Sequence, residues 1–218
     1  MPPDIATQCT RPYLRTASSL QRASPVQTIA SMPLPSRQDA LQVLHEHLKG
    51  EYLLRHSRAT ELIMLALAPR FQADPALWGI TGLLHDLDFE RIDGDDHRHA
   101  VETVRILHER FDYPAEGLDA ILAHNGDVLG IPCRTTFDHA LTAAESVTGM
   151  VFATALILPS RKLADVKPKS VAKRLKEPRF AAKVSRERVG HHADIGIDVA
   201  TFCAIAVECM QGAAAELE

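Results

Sequence analysis

The stretch LWGITGLLHDLD, residues 77–88, decides how the rest of this sequence is interpreted. Eight uncharged residues, enough for about two helical turns, lead to the adjacent ionisable residues His85 and Asp86. Two such groups at the end of an apolar helix cost free energy unless they are paired or bind a metal. Adjacent helical side chains point about 100° apart, yet both can converge on one ion beside the helix. The pair alone fits a hydrogen-bonded helix end equally well, so the other residues have to decide.

Composition favours an all-α fold. Hydrophobic residues make up 46% of the 218 residues and aromatic residues only 5%, so we expect a core of Leu, Ile, Val and Ala. The net charge of −4 gives no general attraction to a nucleic acid polymer. No apolar run approaches the roughly 18 residues of a membrane span. Four scattered cysteines without a CxxC pair favour free thiols in a reducing compartment, and hence a cytoplasmic protein.

Residues 1–36 differ in composition from the rest of the chain. They contain six prolines, three arginines and one acidic residue, and no amphipathic period is visible. This composition predicts a disordered leader, or upstream sequence that precedes a natural start at Met32. A transit peptide is the less favoured interpretation. One folded domain is predicted over residues 37–217.

Residues typical of helix starts and stops divide that domain into successive helices. Ser36 followed by Asp39 predicts an N-terminal cap, and Asp74-Pro75 combines a capping residue with proline at the first helical position. We predict a loop over residues 126–133. The predicted helices cover about 37–49, 52–68, 75–86, 97–111, 114–125, 136–158, 169–176, 186–192 and 198–217.

Charge is unevenly distributed along the chain. Residues 161–188 contain eleven Lys or Arg and only three Asp or Glu, although the whole chain has a net charge of −4. A solvated basic face is the simpler interpretation of this segment. The alternative is a patch that attracts an anionic substrate to an otherwise acidic protein.

Six ionisable residues lie against apolar helix faces or at helix ends: His56, His85, Asp86, His99, His124 and Glu145. Four imidazoles and two carboxylates together are a suitable donor set for one or two divalent metal ions. No GxSxG, P-loop or GxGxxG motif offers a rival site, and Cys133 has no evident partner base. Six other histidines fall on polar faces or in turns and are predicted to lie on the surface: His45, His47, His108, His139, His191 and His192.

The order of these residues, with the sequence around them, resembles the HD-domain superfamily of metal-dependent phosphohydrolases. The blocks HSRATELIMLALA, LWGITGLLHDLDFE, ILAHN, GIP and ALTAAESVTGMV are similar to successive blocks of its small, stand-alone members. The segment KLADVKPKSVAKRLKEPRFAAKVSRERV and the last helix are similar as well, so the resemblance covers roughly residues 37–217. It implies an all-α HD-domain helical bundle.

The resemblance also implies roles for individual residues. His56, His85 and Asp86 correspond to three ligands of the main metal ion. Asp86 corresponds to the residue that bridges both ions in the two-metal members. His99 and His124 match the additional histidines that bind a second metal or a substrate phosphate in some HD proteins.

Two features depart from the family pattern. Glu145, implied as the fourth metal ligand, stands where the family has an aspartate, and its side chain is one methylene longer. Leu87-Asp88 follows the His-Asp pair. The fuller family motif has Ile-Gly at these two positions, but the continuation found here is common in the small, stand-alone members. We expect Asp88 to be a solvated turn residue, the alternative being a carboxylate that orients one imidazole. The sequence has no Gly-Tyr-Pro motif, which counts against a cyclic-dinucleotide phosphodiesterase.

The implied function is hydrolysis of a phosphomonoester or nucleotide, a small phosphorylated substrate, by water that a divalent metal activates. The candidate metals are Mn, Fe, Co, Ni, Zn and Mg; such an ion lowers the pKa of bound water from 15.7 towards about 7. His85 and Asp86 are expected to be essential for catalysis. Two alternatives stay open: a di-iron oxygenase on the same scaffold, and a non-catalytic metal- or nucleotide-binding module.

Overall fold

A computed structural model describes residues 34–218, and the elements in this part of the chain are all helices. The all-α prediction is therefore confirmed. The predicted leader, residues 1–36, lies almost entirely outside the described residues, and the domain bounds 37–217 stay a prediction. Within residues 34–218 we find no helix that has both the length and the apolar character needed to span a membrane.

Eleven α-helices follow one another along residues 34–218. Two short 3-10 helices, Ala68–Phe71 and Leu163–Asp165, lie after the second and before the eighth of them. The α-helices are α1 (Arg37–His47), α2 (Glu51–Leu67), α3 (Pro75–Leu84), α4 (Val101–Arg110), α5 (Ala115–His124), α6 (Gly126–Leu129), α7 (Thr136–Leu156), α8 (Pro168–Arg174), α9 (Arg186–Gly190), α10 (Val199–Gly212) and α11 (Ala214–Leu217).

Side-chain caps fix where the principal helices begin. The hydroxyl of Ser36 accepts from the backbone N–H of Asp39 at 3.2 Å, which confirms the predicted cap of α1. The carboxylate of Asp74 accepts from the N–H of Ala76 at 2.9 Å, which confirms the predicted start of α3. At α7, Thr135 and Asp138 form a reciprocal capping box. These contacts satisfy N–H groups that have no partner within a helix.

Three predicted boundaries are wrong. The helix predicted from His97 begins only at Val101, because Ala100 has a left-handed φ of 71° that interrupts the helix. The loop predicted over 126–133 contains the short helix α6, which ends at Gly130 with a φ of 71°. The predicted last helix is divided at Ala213 into α10 and α11.

Helix α2 occupies the centre of the fold, where it packs against α3, α7 and α10. Gly82 is one point of close approach between α2 and α3. A Cβ atom at that position would lie 3.1 Å from the carbonyl oxygen of Thr60 and 3.2 Å from the Cα of Glu61. Any larger residue there would push the backbone of α2 away from α3, which glycine does not.

We predict that Gly82→Ala destabilises the fold by about 1–3 kcal/mol, because its methyl group meets backbone atoms of α2 that have to shift to make room for it. Urea unfolding followed by circular dichroism measures the change. Gly212→Ala is the matched control, since a Cβ there meets nothing within 4 Å. The prediction is wrong if the two variants unfold at the same urea concentration.

Candidate metal centre

The packing of α2 on α3 brings two imidazoles together in the interior. His56 lies in α2, and His85 follows the last residue of α3. Their Nε2 atoms are 3.1 Å apart, and the exposed fractions of the two residues are 8% and 0%. The two side chains that the sequence assigned to one site thus do meet.

The outer nitrogens of these rings fix where the protons lie. Nδ1 of His85 is 2.8 Å from the carbonyl oxygen of Gly82, and a carbonyl oxygen can only accept, so this Nδ1 carries the proton. The hydroxyl of Thr148 donates to the carbonyl of Glu145 at 2.6 Å. That hydroxyl therefore accepts from Nδ1 of His56, which is 2.8 Å away. The two Nε2 atoms therefore face each other as the ring nitrogens at which a metal ion would bind.

A second pair of imidazoles repeats this arrangement. Nδ1 of His99 donates to the carboxylate of Asp88 at 2.8 Å, and Nδ1 of His124 donates to the carbonyl of Ile121. The Nε2 atoms of His99 and His124 lie 3.1 Å apart. Once more two Nε2 atoms face each other in a buried position.

The carboxylate of Asp86 lies between the two pairs. Its Oδ2 is 3.4 Å from Nε2 of His56, and its Oδ1 is 3.2 Å from Nε2 of His85. The same Oδ1 is 3.4 Å from Nε2 of His99 and 3.3 Å from that of His124. Two donor groups, each of two imidazoles, thus share one carboxylate. This nitrogen and oxygen set fits two divalent transition-metal ions bridged by Asp86.

The charge states of His85 and Asp86 suit metal binding. Burial lowers the pKa of His85 to about 3. Burial by itself would raise the pKa of Asp86, but His85, His124 and His56 outweigh it and hold that pKa well below its ordinary value. At neutral pH the imidazole of His85 is neutral and the carboxylate is ionised, which are the forms that coordinate a cation.

Asp88 is not the solvated turn residue that we expected. Its exposed fraction is 0%, and its carboxylate binds both Nδ1 of His99 and the backbone N–H of Thr103, the latter at 3.0 Å. The carboxylate therefore orients an imidazole and caps the start of α4 at once. The sequence had offered the orientation of an imidazole as the alternative role, but not the contact with Thr103, which lies 15 residues along the chain.

Asn125 is a residue that the sequence interpretation missed. Its side-chain amide donates to the carbonyl oxygens of Asp96 and His99, at 2.8 and 3.1 Å. These bonds tie the turn that carries His99 to the end of α5, where His124 lies. Its position next to His124 in the sequence was the available signal.

Glu145 lies on α7 and lines the same cavity as His56, Asp86, His99 and His124. Burial raises the pKa of its carboxyl group. Its oxygens belong to neither of the two donor groups that share Asp86. The role of Glu145 as a fourth ligand therefore stays a prediction.

The metal centre faces a cavity of about 360 Å³, which lies within the range of small-molecule sites. Lys183 and Arg188, both from the basic segment, line one wall of it. Tyr52 and Phe89 also line it, and these aromatic side chains are 59% and 47% exposed. The cavity thus combines the buried donor set with cationic and aromatic groups near solvent.

Two histidines assigned to the surface are instead partly buried against each other. The Nδ1 atoms of His139 and His191 are 2.7 Å apart, and the two side chains are 20% and 25% exposed. They lie next to the sulfur of Cys133, for which the sequence had suggested no partner. The contact joins positions 52 residues apart along the chain, so no local pattern could have indicated it.

We predict that Asp88→Asn weakens metal binding at the centre by about 10–100-fold, because the carboxylate that orients His99 is lost. Titration of the metal-free protein with Mn²⁺ or Zn²⁺ measures the change. Asp93→Asn is the matched control, since Asp93 is exposed in the same connection between helices. Equal affinities for the two variants would contradict the role assigned to Asp88.

Comparison with known proteins adds one match. The family model described as "HD domain" matches residues 53–158, from α2 to just beyond the end of α7. This span contains all six side chains that the sequence assigned to the site. Neither the search of curated proteins nor the search of solved structures found a match.

Proposed function

This chain belongs to the HD-domain family, and from that premise we propose that it is a metal-dependent phosphohydrolase acting on a phosphomonoester or nucleotide. The family consists mostly of metal-dependent hydrolases. The observation that carries the proposal is the convergence of four buried Nε2 atoms on the carboxylate of Asp86. Because the outer nitrogen of each ring is bound to another acceptor, each Nε2 is left to coordinate a cation.

We assign each residue of the centre a part in holding metal. His56 and His85 would hold one ion, His99 and His124 a second, and Asp86 would bridge the two. Divalent ions, when bound there, provide hydroxide at neutral pH and neutralise charge on phosphoryl oxygens. Thr148, Gly82, Ile121 and Asp88 keep the four rings in the required tautomer through their bonds to Nδ1. Glu145 is proposed as a further ligand from the cavity wall.

The wall of the cavity supports a phosphorylated substrate. The cationic side chains of Lys183 and Arg188 would attract a phosphate group towards the metal centre. Arg188 also contacts the carboxylate of Asp127 at 3.0 Å, which holds its guanidinium in place. Tyr52 and Phe89 offer ring surfaces on which the organic part of a nucleotide can pack.

We predict that wild-type protein binds divalent metal and releases phosphate from at least one compound in a panel of nucleotides and sugar phosphates. Asp86→Ala and His85→Ala should lose the metal and lower kcat/KM by at least about 1,000-fold, because metal contributes several kcal/mol to catalysis. His108→Ala is the control, since His108 is an exposed histidine of α4. Full activity in metal-free protein would overturn the proposal.

Oxygen consumption, phosphate release and the variant Glu145→Asp together separate the alternatives. Oxygen consumption that requires iron, without phosphate release, would identify a di-iron oxygenase on this scaffold. A protein that binds metal but turns over no substrate, and that gains activity on Glu145→Asp, would be a binding module. If Glu145→Asp only changes the rate of an existing phosphatase, the chain is an enzyme in its native form.

A further inference from the structure

A second cluster of potential metal ligands lies outside the HD centre. The sulfur of Cys133 and one ring nitrogen each of His139 and His191 all lie within 4.8 Å of one another. Cys133 precedes α7, His139 lies in its first turn, and His191 follows α9. None of these residues contributes to the two donor groups that share Asp86.

The two rings of the cluster need a proton or a metal ion between their facing nitrogens. The Nδ1 atoms of His139 and His191 are 2.7 Å apart, so both cannot direct lone pairs at each other without a proton or metal ion. The carboxylate of Asp194 lies 3.1 Å from Nδ1 of His191 and 3.5 Å from Nδ1 of His139. A second negative group, the sulfur as a thiolate, would balance a divalent cation.

We propose that Cys133, His139 and His191 form a second, structural metal site, with Asp194 or water as the fourth ligand. One sulfur and two imidazole nitrogens are the donor set that Zn²⁺ prefers in tetrahedral structural sites. Two nitrogens bound to a tetrahedral zinc lie about 3.3 Å apart, so the two rings need to separate by less than 1 Å. The hydroxyl of Thr142, 3.4 Å from the sulfur, can donate to the thiolate.

An ion can reach this site from solvent. Cys133 and His191 line a second cavity of about 400 Å³, and the side chain of Asp194 is 54% exposed. Arg188 and His124, the latter a candidate ligand of the HD centre, border both this cavity and the one at the HD centre. The two sites share no ligand, so variants of their own ligands test them separately.

The site would fasten α9 to the rest of the fold. Helix α9 has five residues, far fewer than the 12–15 or so that make an isolated helix marginally stable. It carries Arg188 and is capped by Ser185, and both residues line the cavity at the HD centre. A metal that joins His191 to His139 and Cys133 would hold this wall of the cavity in place.

Cobalt titration of the full-length protein tests the proposal, because only a thiolate ligand gives a sulfur-to-cobalt charge-transfer band in the near ultraviolet. The HD centre contains nitrogen and oxygen donors alone, so this band reports the second site. We expect the band to reach, at saturating Co²⁺, the intensity of one thiolate-bound ion per chain, and Zn²⁺ to displace it. Cys133→Ser should abolish the band. His139→Gln should weaken Zn²⁺ binding at this site by more than about 100-fold. The reason is that losing a ligand costs more than changing a residue that only orients one, which costs about 10–100-fold.

Two controls make the result decisive. Asp86→Ala removes the shared ligand of the HD centre and should leave the band unchanged, as should Cys209→Ser, which alters a cysteine of α10. His139 is partly exposed, so His139→Gln is expected to keep the helical content of the wild type. Zn²⁺ should also slow hydrogen exchange over residues 186–190 in the wild type but not in Cys133→Ser. Absence of the band in folded wild type, its survival in Cys133→Ser, or its loss in Asp86→Ala would overturn the proposal.

Discussion

The close approach of α2 to α3 at Gly82 is the constraint on which the metal centre depends. The missing side chain lets the backbone of α2 come within reach, which places His56 beside His85. The carbonyl of the same glycine accepts the Nδ1 proton of His85 and so leaves its Nε2 unprotonated. One residue therefore sets both the distance between the two imidazoles and the tautomer of one of them.

The second half of the centre depends on an equivalent link through Asp88. This buried carboxylate accepts a hydrogen bond from the backbone N–H of Thr103, in the first turn of α4. It also accepts from Nδ1 of His99 and so orients that ring. Asn125 fastens the intervening turn to the end of α5, where His124 lies. Thus the irregular segment between α3 and α4 is tied to α4 and α5 by the same residues that position the ligands.

Helical periodicity and capping residues were sufficient to predict the fold class and the starts of α1 and α3, because these signals are local. Six candidate ligands were also predicted from sequence, and four of them, the histidines, lie around the fifth, Asp86. Asp88 and the pair His139–His191 were misjudged, since their burial arises from contacts between segments that are distant or were assigned the wrong conformation. The oxygens of Glu145 belong to neither donor group, so its coordination stays a prediction.

The central claim is that two pairs of imidazoles hold two metal ions through their Nε2 atoms, and that Asp86 bridges the ions. Anomalous diffraction from crystals of the protein grown with Mn²⁺ tests it most directly. The account predicts two anomalous peaks about 3.5–4 Å apart, one next to His56 and His85 and the other next to His99 and His124. Crystals of folded protein without a peak beside Asp86, at saturating Mn²⁺, would contradict it.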